Sequence, residues 1–310
     1  MGRSRIKRIR IIRMVEVLIL TVCMLGDLTG CGGTGSPVEQ DIMRVFTEEN
    51  EAAKARTKPK QDNTNLTGTI TMAGSTSMEQ FANALAESFM MKYPGVAVTV
   101  EFTGSSTGIA SVLSGSVDIG NSSRNLTEAE KSFGAVENIV AIDGIAIITD
   151  AANTVTSLTK EQAVGIYTGV IRNWSEIGGD DEPIVVVGRE AGSGTREAFE
   201  ELLGITDMCI YVNELNSVGA VKARVVSTPG AVGYVSLDVL DDTVQTLSLD
   251  GTEPTQENIR SGSYQLSRPF IMATRGEIAA QSETVREMFA YLKSEEGRKL
   301  IKAAGLVIPD

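Results

Sequence analysis

The sequence predicts an α/β fold in which mixed, mostly parallel sheets are flanked by helices. Three observations carry this expectation. Short apolar runs with a two-residue alternation, such as Thr69–Ala73 and Val96, Val98 and Val100, read as strands. Between them, Met78, Phe81, Ala82, Leu85, Ala86 and Phe89 recur at spacings of three and four, the stripe of a helix laid on a sheet. The two patterns alternate along the chain, as they do where crossover helices join parallel strands.

The first 30 of the 310 residues read as an export leader. Arg3, Arg5, Lys7, Arg8, Arg10 and Arg13 precede the apolar run from Val17 to Leu25, and Leu28-Thr29-Gly30-Cys31 follows. That run is about half of what a bilayer-spanning helix needs. The tetrad resembles the lipobox of bacterial lipoproteins, which implies acylation of the Cys31 thiol and cleavage before it. Residues 31–65 are polar and read as a flexible tether. A short amphipathic helix over Val45–Ala55 is compatible with the pattern but carries no functional weight.

From Gly68 the α/β pattern begins. Pro94 and Gly95 end the first helix, and a second is marked by Ile109, Val112 and Leu113. Val117–Gly120 reads as a short strand and Ile139–Thr149 as a long one, long enough to cross between lobes. Lys160–Tyr167 predicts a helix, Pro183–Val187 a strand, and Gly192–Thr195 opens a helix with Ala198, Phe199, Leu202 and Leu203 on its apolar side. Strands are expected at Ala231–Ser236, Thr243–Leu249 and Tyr264–Ala273, with helix from Ser282. Trp174 and Tyr167 read as packing residues.

Composition narrows the function. The sequence contains no histidine, which removes Ser-His-Asp and Cys-His catalysis and histidine metal ligands. No catalytic residue, cofactor or metal is expected. The leader holds six basic and two acidic residues, so removing its +4 from the total of −12 leaves −16. Such a balance does not point to nucleic acid. Of three cysteines, Cys23 lies in the leader and Cys31 at its end, leaving Cys209 and no disulfide framework.

Three places repeat one design, in which a strand ends in glycine and small hydroxyl residues and a helix begins: Gly74-Ser75-Thr76-Ser77, Gly104-Ser105-Ser106-Thr107-Gly108 and Gly192-Ser193-Gly194-Thr195. Free N–H groups and the helix dipole favour an anion at such a start. Ordinary capping is the better explanation of any one of them taken alone. Three in one chain, the third preceded by Arg189 with its planar donor fork, point to an oxyanion site. None has the sequence of a nucleotide P-loop or a dinucleotide fingerprint.

Arg189–Thr195, Gly74–Ser77, Gly104-Ser105-Ser106, Asp118–Arg124 and Ser267-Arg268-Pro269 resemble, in order, segments of the phosphate-binding proteins of high-affinity phosphate ABC importers. The resemblance runs from about Thr67 to the end. It implies a two-lobed type II periplasmic-binding-protein fold with the ligand cleft between lobes, 66–146 with 266–310 forming one lobe and 147–265 the other. It also implies a monomeric, lipid-anchored receptor on the extracytoplasmic face of the cell membrane, not an enzyme. Such a receptor binds inorganic phosphate and delivers it to a membrane-embedded permease and its ATPase.

By that resemblance Ser75, Thr76, Ser77 and Ser105 offer donors from one side, and Arg189, Ser193, Gly194 and Thr195 from the other. Ser123 stands where many relatives have an aspartate that accepts the proton of phosphate. A hydroxyl discriminates less sharply than a carboxylate, which repels an unprotonated oxyanion. Sulfate or molybdate is therefore the alternative ligand, and phosphate-ester hydrolysis a more distant one. Glu190 and Asp143 are candidates to replace the missing carboxylate. Arg124 reads either as a second charge on the ligand or as a surface residue paired with Glu128 or Glu130.

Overall fold

A computed structural model describes residues 65–309. The leader, the tether, Cys31 and the Val45–Ala55 segment lie outside the described residues. Strand β1 (Thr67–Gly74) lies between two parallel neighbours, β2 (Gly95–Phe102) and β3 (Ile119–Ser122). Helix α1 (Glu79–Lys92) covers one face with the expected stripe, since Phe81, Ala82, Leu85, Ala86 and Phe89 are all buried. Helix α2 (Ser105–Ser114) covers the other face. Its Gly108 is required by close approach: a Cβ there would lie 2.5 Å from the carbonyl oxygen of Ala73. Asp118 fixes the register of β3, its carboxylate accepting from Thr71 N at 2.7 Å and Thr71 Oγ1 at 2.8 Å.

Helix α3 (Glu128–Ser132) and the short strand β4 (Ala135–Val136) lead into β5 (Ile139–Asp150), the long strand anticipated from its apolar run. Its first part, to Gly144, pairs with β11 (Ser267–Arg275); from Ile145 it pairs with β9 (Ala231–Ser236). Both pairings are antiparallel, as is that of β11 with β3. The parallel character of the outer strands comes from short crossovers. The central antiparallel pairs join residues distant along the chain, and period-two patterning carries no direction.

The second half contains β6 (Ser157–Leu158), α4 (Lys160–Tyr167), β7 (Val185–Arg189), α5 (Gly194–Leu203), β8 (Asn213–Leu215), α6 (Val218–Val226), β10 (Val244–Leu249) and α7 (Gln256–Arg260). The strand expected from Tyr264 begins at Ser267. Tyr264 instead packs inward and donates to the Ile145 carbonyl at 2.8 Å. The C-terminal helical stretch is two helices, α8 (Glu283–Lys293) and α9 (Glu295–Ala303), divided at Ser294, whose hydroxyl caps α9.

The two largest of the four apolar clusters among the described residues lie on either side of the β5 crossing. One gathers Ile70, Phe81, Phe89, Ala141, Phe270 and Met288. The other gathers Ile147, Tyr167, Trp174, Phe199, Tyr234 and Leu266. Trp174 and Tyr167 are packing residues, the indole donating to the Gly230 carbonyl and the phenol ring lying against Phe199 and Tyr234.

Candidate functional site

The three hydroxyl-rich turns meet, but their side chains serve their helices differently. At α5 the Ser193 hydroxyl accepts from Arg196 N, so this side chain caps the helix. At α2 the capping position is Gly104, which has no side chain, and Ser105 is the first helical residue. Its hydroxyl accepts from Ser123 N at 3.2 Å and meets Ser123 Oγ at 3.4 Å. After β1 a single 3-10 turn, Thr76–Met78, precedes α1, and Ser75 caps that turn.

The result is a buried chain of hydroxyls. Ser75 Oγ donates to Ser123 Oγ at 2.8 Å and shares a hydrogen bond with Ser77 Oγ at 2.9 Å. Ser77 Oγ in turn meets Thr195 Oγ1 at 2.9 Å. Gly194 closes the group, since a Cβ there would lie 2.3 Å from Ser105 Oγ and 2.9 Å from Ser123 Oγ. Any side chain at 194 would therefore displace the hydroxyls. The first-turn N–H groups of α2 and α5 have no intrahelical acceptors and belong to the same wall.

Arg189 ends β7 and is 1% exposed. Its Nε donates to the Leu215 carbonyl and its Nη2 to the Asn216 carbonyl, both at 3.0 Å. These bonds fix the fork but neutralise nothing. The other buried arginines among the described residues, Arg124 and Arg268, each rest on a carboxylate, whereas Arg189 has none within 4.0 Å. Burial, with Arg268 nearby, lowers its pKa to about 10, so it remains charged near neutral pH. A buried guanidinium without a counter-charge is strongly penalised unless an anion joins it.

Asp143, a candidate to replace the missing carboxylate, is engaged instead by Arg268, which the sequence placed only in a family-like segment. They are register partners on β11 and β5, joined by two bonds at 3.1 and 2.9 Å to one carboxylate oxygen. Arg268 also donates to the Ser123 carbonyl at 3.3 Å, tying the pair to the hydroxyl group. Burial pushes the Asp143 pKa up even against Arg268. The available signal was one charge of each sign inside two otherwise apolar strands, Ala141-Ile142-Asp143-Gly144-Ile145 and Arg268-Pro269-Phe270-Ile271.

Beyond this pair stands Asp238, whose carboxylate oxygens are buried with no hydrogen-bond partner among the described residues. Burial first, and then the charge of Asp143, raise its pKa to about 7.

Two expected residues stand apart from the hydroxyls. The Thr76 hydroxyl is buried without a hydrogen-bond partner among the described residues, and the residue lines a separate groove with Glu79, Asn83 and Lys222. Arg124 pairs with Glu130 through both terminal nitrogens at 2.9 Å, one of the two partners named for its surface role, and also with Glu197. Among the described residues no group of acidic, cysteine or histidine side chains is arranged to hold a metal ion, and no helix is long and apolar enough to cross a membrane.

Strand-end turns of an α/β fold that meet in one buried hydroxyl cluster place the chain in the solute-binding class. A profile of the PBP superfamily domain matches residues 51–296. The phosphate-binding protein PstS of Bacillus subtilis is 34% identical over 300 residues, covering 93% of this chain and 91% of its own. A crystal structure with bound phosphate from Clostridium perfringens, described as a putative phosphate ABC transporter substrate-binding protein, is 39% identical with a TM-score of 0.75. It covers 78% of this chain and 100% of the other. An ABC-type phosphate transport receptor from Vibrio cholerae is also 39% identical, with a TM-score of 0.66 over 77% of this chain and 100% of its own. The chain belongs to the PBP superfamily and, within it, to the PstS family of phosphate-binding proteins.

Proposed function

We propose that this protein is a receptor for inorganic phosphate that delivers its ligand to an ABC permease and is not an enzyme. The observation that carries the reading is a buried cluster of hydroxyls from three separate turns, in a chain that also buries Arg189, charged and without a carboxylate among the described residues. A tetrahedral oxyanion supplies the missing charge. It also exchanges neutral hydroxyl–hydroxyl bonds for charge-assisted ones, which are roughly twice as strong. Ser75, Ser77, Ser105, Ser123 and Thr195 would bond it through hydroxyls, and Gly194 through its N–H, with Ser193 holding the helix start in place. Lobes 66–146 with 266–310 and 147–265, one on each of the two cores, would close on it as a monomer.

A second reading, another tetrahedral oxyanion such as sulfate or molybdate, is favoured by one feature. No carboxylate contacts the hydroxyl group directly among the described residues, Ser123 accepting there from Ser75. Calorimetry of the purified protein tests both. Phosphate should bind tightly and a large excess of sulfate should compete weakly. Absence of phosphate binding would sink the first reading, and equal competition by sulfate would favour the second.

The leader and Leu28-Thr29-Gly30-Cys31 support anchoring through a fatty-acylated Cys31 at the extracytoplasmic face of the cell membrane. Labelled palmitate should be incorporated in cells and the label lost in Cys31→Ala. Label that survives in the variant would reject the anchor.

A further inference from the structure

Ser106 and Arg124 stand on the side of the first core, and Gly192 and Glu197 on the side of the second. The two sides are bonded directly at the rim. Arg124 Nε lies 2.5 Å from Glu197 Oε2, and Arg124 Nη2 donates to Ser106 Oγ at 3.0 Å. Ser106 Oγ donates onward to Glu197 Oε1 at 3.2 Å, and Ser106 N donates to the Gly192 carbonyl at 3.1 Å. Burial would lower the Arg124 pKa, but the bonds and charges of Glu130 and Glu197 outweigh it and raise it. The contacts border a groove of about 550 Å³, with Arg124, Asn125 and Thr127 on one wall and Gly192, Glu197 and Glu201 on the other.

The division of labour within this network is informative. The Arg124 guanidinium is 6% exposed and is already matched by Glu130 from its own side, so its burial does not depend on Glu197. Glu197 adds nothing to the interior of its own core. Its side chain is 38% exposed and its contacts cross to the opposite side. None of these atoms touches the hydroxyl cluster.

We infer that Glu197 is a positioning residue that latches the cleft shut by clasping Arg124 and Ser106, and thereby sets how fast a bound anion leaves. The latch rests on the two-lobed receptor reading given above. Opening requires breaking a partly exposed charge pair and a hydroxyl bond, interactions that at a rim act chiefly on dissociation.

The test is Glu197→Gln, with Ser106→Ala as a milder second variant. Spin labels on cysteines placed at the exposed positions Asn125 and Glu201 report the cross-cleft distance, in a chain whose native cysteines are serine. Glu197→Gln should broaden that distance distribution in phosphate-free protein and raise the phosphate dissociation rate about twofold to fivefold, a size suited to a rim ion pair. The association rate should not fall, since a looser cleft admits the anion at least as readily. Ser106→Ala should shift both readouts in the same direction by less. Unchanged distances and dissociation in Glu197→Gln would overturn the latch, as would a wild-type distribution already as broad as the variant's. If the wild type binds no phosphate, the receptor reading falls on that result alone, and the distance comparison still decides the latch.

Discussion

Arg189→Ala is expected to abolish measurable phosphate binding while leaving a folded protein. Removing one partner of a buried, hydrogen-bonded charge pair costs roughly 2–5 kcal/mol, or about thirtyfold to several thousandfold in affinity. Arg189 should lie at the upper end, because the described residues offer no second unpaired buried arginine: Arg268 rests on Asp143 and Arg124 on Glu130 and Glu197. Stability should fall little. The wild-type side chain is itself a penalised buried charge, so its loss offsets the two carbonyls, of Leu215 and Asn216, that it leaves without a donor. Arg189→Lys should not restore binding, since an ammonium cannot hold both carbonyls and still face an oxyanion with a planar fork. Calorimetry and thermal unfolding of the three proteins separate these effects. Affinity within tenfold of the wild type in Arg189→Ala would refute the assignment.

The second large effect concerns Asp238. Its folded-state pKa, raised to about 7 by burial and by Asp143, lies above the ordinary carboxylate value of 3.8. Between those values the folded protein keeps a proton that the unfolded chain has released. This contribution to stability is fully present below about pH 4 and is lost as pH rises through 7. Above that, an ionised Asp238 is buried beside Asp143 with the charge of Arg268 as a partial offset, a penalty on the order of a few kcal/mol. Asp238→Asn should therefore melt close to the wild type near pH 4 and several degrees above it at pH 8, at about 2–4 °C per kcal/mol for a chain of this size. Melting curves that stay parallel from pH 4 to pH 8 would contradict the account.

Much of the site was legible in the sequence because it is built from local signals. Glycine and small hydroxyl residues between a strand pattern and a helix pattern mark helix starts wherever they occur, and this alone singles out Ser75, Ser105, Ser193 and Thr195. The same locality made them ambiguous. Whether a serine at such a start caps its helix or is free to bond a ligand depends on one position of register. Ser193 falls on the capping position and Ser105 one residue inside it.

Arg124 shows the limit from the other direction. Its sequence neighbours suggested Glu128 or Glu130, and Glu130 is indeed its partner, within reach along the chain. Glu197, equally close in space, belongs to a different helix.

Short-range chemistry is therefore what the chain spells out in one dimension: the strand and helix periods, the three anion-suited turns, the lone Arg189 and the absence of histidine chemistry. Contacts between distant segments settled the rest. Antiparallel pairing of β5 with β11 set Arg268 on Asp143, 125 residues away, and left Arg189 as the buried arginine without a carboxylate among the described residues. Folding also brought Ser77 to Thr195 across 118 residues. The physical reason is that hydrogen bonds and apolar patterning repeat along the chain with short periods and can be read there, whereas the neutralisation of a buried charge depends on which strands lie side by side.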